Sequence, residues 1–426
     1  MIPRTPLSAS VLAGTLSMAL GMPALAQESA GFIDGSSATL NLRNFYINRN
    51  FVDPLYDQSK AEEWTQSFIF NLQSGYTQGP VGFGVDVLGM VAVKLDGGGG
   101  GGTYGTGLLP RGTDGTPADS FGRLAVAAKA KFSETELRIG EWPIVLPVLR
   151  SDDGRSLTQT FQGGMVTSKE ITNLTLYGGQ MRQNSPRDDG SMEDMIYRDG
   201  INGITATSDR FNFAGAEYAF GEKSKVGLWH ARLEDIYQQS YVQFQHVHPL
   251  SESLALSANL GYFTGKDEGS ALAGNLDNKT YSGMFGLHAG AHTIYVGLQK
   301  VSGDNGWMRV NGTSGASLAN DSFNSAYDAA KERSWQLRHD YDFAGLGIPG
   351  LTLMNRYISG DNIHTATIDD GKEWGRETEL AYTVQSGVLK SLNIKWRNSS
   401  MRRDSSFSRN EFDENRLIFN YPISLL

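Results

Sequence analysis

Apolar and polar side chains alternate along most of this chain. In residues 392–402, Leu392, Ile394 and Trp396 share one face, while Asn393, Lys395, Arg397 and Ser399 share the other. Successive side chains of a strand point to opposite sides, so this pattern predicts a β-strand. Residues 415–423 repeat it, with Leu417, Phe419, Tyr421 and Ile423 against Arg416, Ile418 and Asn420. So do residues 334–343, where Trp335, Leu337, Tyr341 and Phe343 oppose Gln336, Arg338 and Asp340. Further strands are predicted over 39–47, 66–73, 81–87, 135–139, 254–262, 281–289, 293–301, 351–359 and 377–384. No amphipathic helical period lies between them, which excludes βαβ units and leaves an all-β chain.

The connections alternate in length. Short turns at 74–79, 221–223, 248–252 and 290–292 join neighbours as hairpins, whereas long polar stretches run over 95–120, 142–168 and 302–331. The glycine tract Gly97 to Gly102 reads as an exposed, flexible loop rather than a hinge. Short turns at one end and long loops at the other are the pattern of an outer-membrane barrel. At about 22 residues per strand and connection, the chain after residue 26 supplies on the order of 18 strands, a pore-sized, monomeric antiparallel transmembrane barrel.

The amino terminus supplies the compartment. Residues 1–26 carry one basic residue, Arg4, an apolar run through Leu20, and Ala24-Leu25-Ala26 before Gln27, the pattern of a cleaved secretory signal. The expected mature protein is residues 27–426, a single outer-membrane barrel domain. No run of about 18 apolar residues follows, so strands have to do any membrane crossing. Zero cysteine suits passage through an oxidising periplasm. A formal net charge of −9 argues against nucleic acid as a partner. The expected partners are small solutes, outer-membrane lipid and lipopolysaccharide, and the machinery that inserts barrels.

A soluble sandwich also alternates, so the decisive feature is the placement of the cations. Arg43, Arg49, Arg138, Arg338, Arg356, Lys395, Arg397 and Arg416 fall mid-strand on polar faces. In a dry core that would be ruinous, whereas a water-filled lumen leaves each group hydrated. First and last strands of a closed barrel are neighbours, which brings Arg43 and Arg49 beside Arg416, Lys395 and Arg397. These form a candidate basic track that favours carboxylates, with several similar sites in series so that none traps the solute. The alternative is that they are ordinary lumen residues paired with Asp340, Glu377, Glu379 and Glu414.

An open barrel of this size would pass anything small, so a constriction is needed. Residues 142–149, Trp-Pro-Ile-Val-Leu-Pro-Val-Leu, are too apolar for a loop left in water and are expected to fold inward. Arg150, Asp152, Asp153 and Arg155 follow and could line an eyelet. The loop 302–331, with Asp304, Trp307, Arg309, Asn320 and Asp321, is the second candidate. Catalytic signatures are absent: no Gly-x-Ser-x-Gly, no His-Glu-x-x-His, no phosphate-cradling loop. His246 with His248, and His288 with His292, lack a third ligand nearby, so neither a metal nor any other cofactor is expected. An enzyme at the barrel rim stays as the competing class.

Several segments together resemble the OprD family of substrate-specific outer-membrane porins: Asn41 to Tyr46 (NLRNFY), residues 157–169 (LTQTFQGGMVTSK), 348–360 (IPGLTLMNRYISG), 374–387 (WGRETELAYTVQSG) and 415–426 (NRLIFNYPISLL). The resemblance implies an 18-stranded barrel with inward loops, an eyelet and a ladder of basic residues onto which Arg43, Arg338, Arg356, Lys395, Arg397 and Arg416 map. Residues 370–376 (DGKEWGR) and 395–404 (KWRNSSMRRD) look more like the branch associated with benzoate and vanillate than the one associated with basic amino acids. The expected function is passive uptake of small carboxylates, aromatic in preference, with basic amino acids or small peptides as the alternative cargo. The chain ends in Leu426 rather than the aromatic residue that closes many outer-membrane barrels, although Tyr421 lies near.

Overall fold

A computed structural model describes residues 31–53, 58–98, 104–199, 203–404 and 411–426. The expected leader and most of the Gly97 to Gly102 tract lie outside those residues. Eighteen antiparallel strands close into one barrel. The first seven are β1 (Ser37–Asp53), β2 (Lys60–Gln73), β3 (Gly82–Asp96), β4 (Ser120–Phe132), β5 (Thr135–Trp142), β6 (Thr160–Ile171) and β7 (Leu174–Ser185). Next come β8 (Phe211–Phe220), β9 (Ser224–Leu233), β10 (Tyr237–Pro249), β11 (Leu254–Asp267), β12 (Asp277–Ala289) and β13 (His292–Ser302). The last five are β14 (Arg333–Asp342), β15 (Leu351–Ile363), β16 (Gly371–Thr383), β17 (Asn393–Arg403) and β18 (Glu411–Ser424). β18 pairs with β1 from Ser424 opposite Thr39 to Glu411 opposite Asp53, so the sheet has no free edge in the membrane.

One end carries tight connections, such as Gly290-Ala291, where Gly290 takes a left-handed φ of 58° that a side chain would resist. The other carries the long loops 97–119, 143–159, 186–210 and 303–332. The expected loop at 142–168 is shorter than its sequence suggested, because Thr160–Ile171 belongs to β6. Phe343, read as the end of a strand, instead opens a short 3-10 turn, Phe343–Leu346.

The outer wall is apolar over most of its circumference, with Leu124, Val126, Ile139, Leu228, Val242, Phe285 and Leu298 exposed as lipid demands. The inner wall is divided. From β6 to β11 it presents Phe161, Met181, Phe211, Phe213, Trp229, Tyr237, Tyr241 and Phe263, all buried. Onto these pack Trp142, Ile144, Leu146, Val148 and Leu149 leading out of β5, Met195 and Tyr197 from the next loop, and Trp307, Met308, Val310 and Leu318 from the loop after β13. The inward fold expected of residues 142–149 is therefore what the structure shows. Its cause is the removal of aromatic and aliphatic surface from water, at about 25 cal/mol per Å². Backbone bonds interlock these loops: Asn311 donates to the Ile196 carbonyl at 2.6 Å and Ser314 to that of Arg150 at 2.9 Å.

A third element, absent from the sequence expectations, narrows the lumen from the opposite side. In the loop after β3, Leu108 and Leu109 pack on Phe45, Ile47 and Ile418. Glu63 on β2, fully buried, holds this loop in place. Its carboxylate accepts from the backbone N–H of Thr106 and of Leu108, each at 3.2 Å, and from the Arg111 guanidinium at 2.7 Å. Replacing Glu63 by Ala breaks a buried pair, a cost of about 3–5 kcal/mol. Glu63→Ala is expected to release the loop and raise single-channel conductance; unchanged conductance in planar bilayers would show that Glu63 does not hold it.

Candidate functional site

The polar half of the inner wall runs from β14 through β18 to β1 and β2, and alternation decides which residues reach it. Arg338, Arg356, Lys395, Arg397, Arg416, Arg43 and Arg49 all face inward from these strands, because their sequence neighbours Leu337, Tyr357, Trp396 and Leu417 face out. Register sets their order. Arg338 lies opposite Arg356, Arg356 opposite Glu377, Glu379 opposite Arg397, and Arg397 opposite Arg416. Arg138 does not join them. It sits on β5, four strands round from β1, where it pairs with Asp86 at 3.0 Å and Glu136 at 3.4 Å.

The guanidinium groups of this wall are not bare. Arg338 bonds Asp340 through two nitrogens, both at 2.7 Å. Arg356 meets Glu377 at 2.5 Å, Arg397 meets Glu379 at 2.5 Å, and Glu414 receives both Arg49 at 2.6 Å and Arg416 at 2.5 Å. The pairing that sequence reasoning weighed as the competing possibility is thus present, with the same four carboxylates. Lys395 is different: no hydrogen bond or ion pair engages its ammonium among the described residues. Its charged neighbours in the lumen are Glu379, Arg397, Arg43 and Asp153.

Three loops converge on this wall. Asp153 reaches Arg43 at 2.9 Å, and the Arg155 carbonyl accepts from the same guanidinium at 2.8 Å. Phe323, at the tip of the 303–332 loop, sits among three cations, with Arg397, Arg356 and Arg416 at 4.0, 4.8 and 5.8 Å from its ring centre. Its backbone N–H donates to Glu377 at 3.0 Å, and Arg416 donates to its carbonyl at 3.0 Å. Beside this contact lies a cavity of about 510 Å³ lined by Arg49, Arg155, Arg187, Arg309 and Arg403, by Asp152 and Asp321, by Phe51, Phe323 and Phe412, and by Thr313, Ser314, Ser322, Asn324 and Ser325.

The eyelet candidates divide accordingly. Asp152, Arg155 and Asp321 line the cavity, and Asp153 secures its rim at Arg43. Arg150 is half-buried behind it, its carbonyl tied to Ser314. Asp304 is a correction: it stands 85% exposed, paired with Lys331 at 3.2 Å, and does not line the constriction, because the loop turns inward only after it. Sequence reasoning missed Phe323, Arg187 and Arg403. A lone aromatic inside the polar run Asn320 to Ser325 was the available signal for Phe323. The histidines also regroup. His288 points inward and bonds Ser257 at 2.8 Å, whereas His292 stands outside, 3.0 Å from His339.

Two acids lining the cavity are shifted in opposite directions. Burial penalises the Asp152 carboxylate, but Arg187 at 2.5 Å and Arg155 outweigh it and keep its pKa below the usual value. Asp321 is pushed up to about 7, chiefly by burial and further by Asp328 and Asp152, against the pull of Arg309 and Arg356.

The chain matches the model of a family described as outer membrane porin, OprD family, over residues 30–425. It is 60% identical to the porin-like protein GalP of Pseudomonas putida, across 97% of this chain and 98% of that one. A crystal structure of a BenF-like porin from Pseudomonas fluorescens Pf-5 superposes with a TM-score of 0.89 at 64% identity, covering 93% of this chain and all of that one. Pseudomonas aeruginosa OccK2 (OpdF), solved in complex with glucuronate, gives 0.84 at 58% identity with the same coverage.

Protonation of Asp321 below pH 7 removes a negative charge from the cavity, while a solute carboxylate of pKa about 4 stays ionised. Carboxylate flux is therefore expected to rise as pH falls from about 8 to about 6, and Asp321→Asn to flatten that slope. Flux measured in proteoliposomes that falls with acidification, or keeps its slope in the variant, would contradict the assignment. Family match, relatives and barrel agree: this chain belongs to the OprD family of outer-membrane porins and resides in the outer membrane of a Gram-negative bacterium.

Proposed function

We propose that this porin is a passive channel for small carboxylates, aromatic ones in preference, and that no bond is made or broken in its lumen. The observation that carries the reading is the ammonium of Lys395, unpaired among the described residues and set in a wall whose other cations are shared with carboxylates. A guanidinium already bonded to Glu or Asp attracts an anion weakly, so a solute can pass it by without being held. Lys395 offers the stronger stop. Conduction needs such a combination, binding favourable enough to enter and weak enough to leave.

The solute would pass the cavity at the constriction before reaching Lys395. There its carboxylate meets Arg49, Arg155 and Arg187, and an aromatic body can lie against Phe51 or Phe412. Low-dielectric walls focus the field along this path, so a protein of net charge −9 can still select an anion. A second cargo, hydroxylated sugar acids, is supported by the hydroxyl and amide groups of Thr313, Ser314, Ser322, Asn324 and Ser325 in the same cavity, and by the glucuronate complex of the OccK2 relative.

Exchanging Arg397 for Gln would leave Glu379 without its partner, and exchanging Arg416 would take from Glu414 one of its two, so both are poor probes. Lys395→Gln strands no ion pair. In liposome swelling it is expected to slow benzoate and glucuronate about tenfold, the loss of one charge-assisted hydrogen bond of about 1.4 kcal/mol, with little effect on a neutral sugar of equal size. Equal slowing of charged and neutral solutes would remove Lys395 from the pathway.

A further inference from the structure

On the outside of the barrel, cations gather at one height across four neighbouring strands. Lys266 on β11, Lys279 on β12, Lys300 on β13 and Arg333 on β14 are exposed, while Asn278, Thr280, Gln299, Val301 and Ser334 beside them are buried. Register and tilt make the four level. A cross-strand row climbs toward the long-loop end: the row that leaves His292, the first residue of β13, passes Leu380 on β16 and Tyr46 on β1 and reaches Asp96, the last residue of β3. At about 4.8 Å spacing and about 40° of tilt, keeping level requires a step back toward the turn end of about 4 Å per strand. Asp277 lies opposite Lys266 and Ser302 opposite Lys279, so Lys279 and Lys300 each sit two residues back from those partners, and Arg333 lies directly opposite Lys300. The set-back is about 13 Å over three strand steps, against about 12 Å required. Nearer the turn end stand outward aromatic rings, Tyr281 at 4.8 Å from Tyr262 and Trp335 at 5.7 Å from Tyr357. Such a girdle marks the membrane interface and long loops mark the outer side, so the cations stand at the headgroup level of the outer leaflet.

We propose that Lys266, Lys279 and Lys300 form a binding site for the phosphates of lipopolysaccharide, the multiply phosphorylated glycolipid of that leaflet. The three ammonium groups make no hydrogen bond or ion pair among the described residues. The arginines near the same rim are already engaged: Arg182 with Asp209 at 2.6 Å, Arg232 with Glu268 at 3.2 Å, Arg402 with Asp413 at 3.0 Å, and Arg333 itself with Asp361 at 2.9 Å. Asp277 stands beside Lys266 without an ion pair among the described residues, so positive charge stays in excess. Consecutive lysines of the site are diagonal cross-strand neighbours, about 7–8 Å apart at the backbone. Their flexible stems let the ammonium groups close on one phosphate or take one each. A headgroup with several phosphates engages the whole row and relieves the repulsion among its charges, whereas a phospholipid offers a single phosphate. None of these lysines faces the lumen, so the inference is independent of the transport reading.

Folded porin in dodecyl maltoside micelles, titrated with fluorescent lipid A carrying its phosphates, is expected to bind saturably. Combining Lys266→Gln, Lys279→Gln and Lys300→Gln should weaken that binding by about tenfold or more, through loss of charge-assisted hydrogen bonds. Lys266→Arg, Lys279→Arg and Lys300→Arg together should keep it, and Lys372→Gln, at a lone exposed lysine on β16, should leave it unchanged. Heat-modifiable mobility and unchanged swelling rates show that each variant is folded. Lipid A stripped of its phosphates, phosphatidylglycerol and inorganic phosphate are each expected to compete weakly. Full affinity in the Gln variant, equal binding of the stripped lipid, or competition by phosphatidylglycerol or inorganic phosphate as strong as that of intact lipid A would each overturn the proposal.

Discussion

The structure depends on how two kinds of inner wall are reconciled within one barrel. Aromatic side chains from β6 to β11 cannot face water without cost, so the loops after β5, β7 and β13 fold in to cover them. That packing fills one side of the lumen and brings the loop tip, Phe323, against the cations of the other. A pore-sized barrel becomes a narrow channel because its walls differ in polarity. Hydrophobic burial thus places the inward loops, and on the proposed reading electrostatics sets what passes them.

The charged wall obeys a similar economy. The track cations and Arg403 project from β14 to β18 and β1, and the strand carboxylates Asp340, Glu373, Glu377, Glu379 and Glu414 sit among them, with Asp153 brought in by a loop. Near-neutral pairing keeps so many guanidiniums from repelling one another and, on the proposed reading, would limit how firmly any one holds a passing anion. The same arginines secure the loops: Arg356 donates to the Asp321 carbonyl, Arg416 to that of Phe323. The proposed pathway would share its residues with the scaffold, so a single charge deletion there is expected to disturb both.

Period-two alternation made the strands of the polar half legible, since a wet inner face and a greasy outer face produce it cleanly. Ser120–Phe132, Thr160–Ile171, Leu174–Ser185, Phe211–Phe220, Ser224–Leu233 and Tyr237–Pro249 were not found as strands. All but the first have the inward loops against their inner faces, so apolar residues occur on both sides and the alternation fades: Phe211 and Phe213 point in while Tyr218 and Phe220 point out. In Ser120–Phe132, alanines at 125, 127, 128 and 130 blur the contrast between faces. The inward loop at 142–149 was readable from its composition. The latch of Glu63 on the 104–111 segment was not, because it joins residues more than forty positions apart through backbone donors that no sequence motif marks.

The central claim is that the field along the open path favours carboxylates over cations, although the protein as a whole is acidic. Reversal potential across a planar bilayer, recorded for one channel in a gradient of sodium benzoate, measures this without reference to uptake rates. The account predicts a potential displaced toward the benzoate equilibrium value. Displacement toward the sodium value would contradict it.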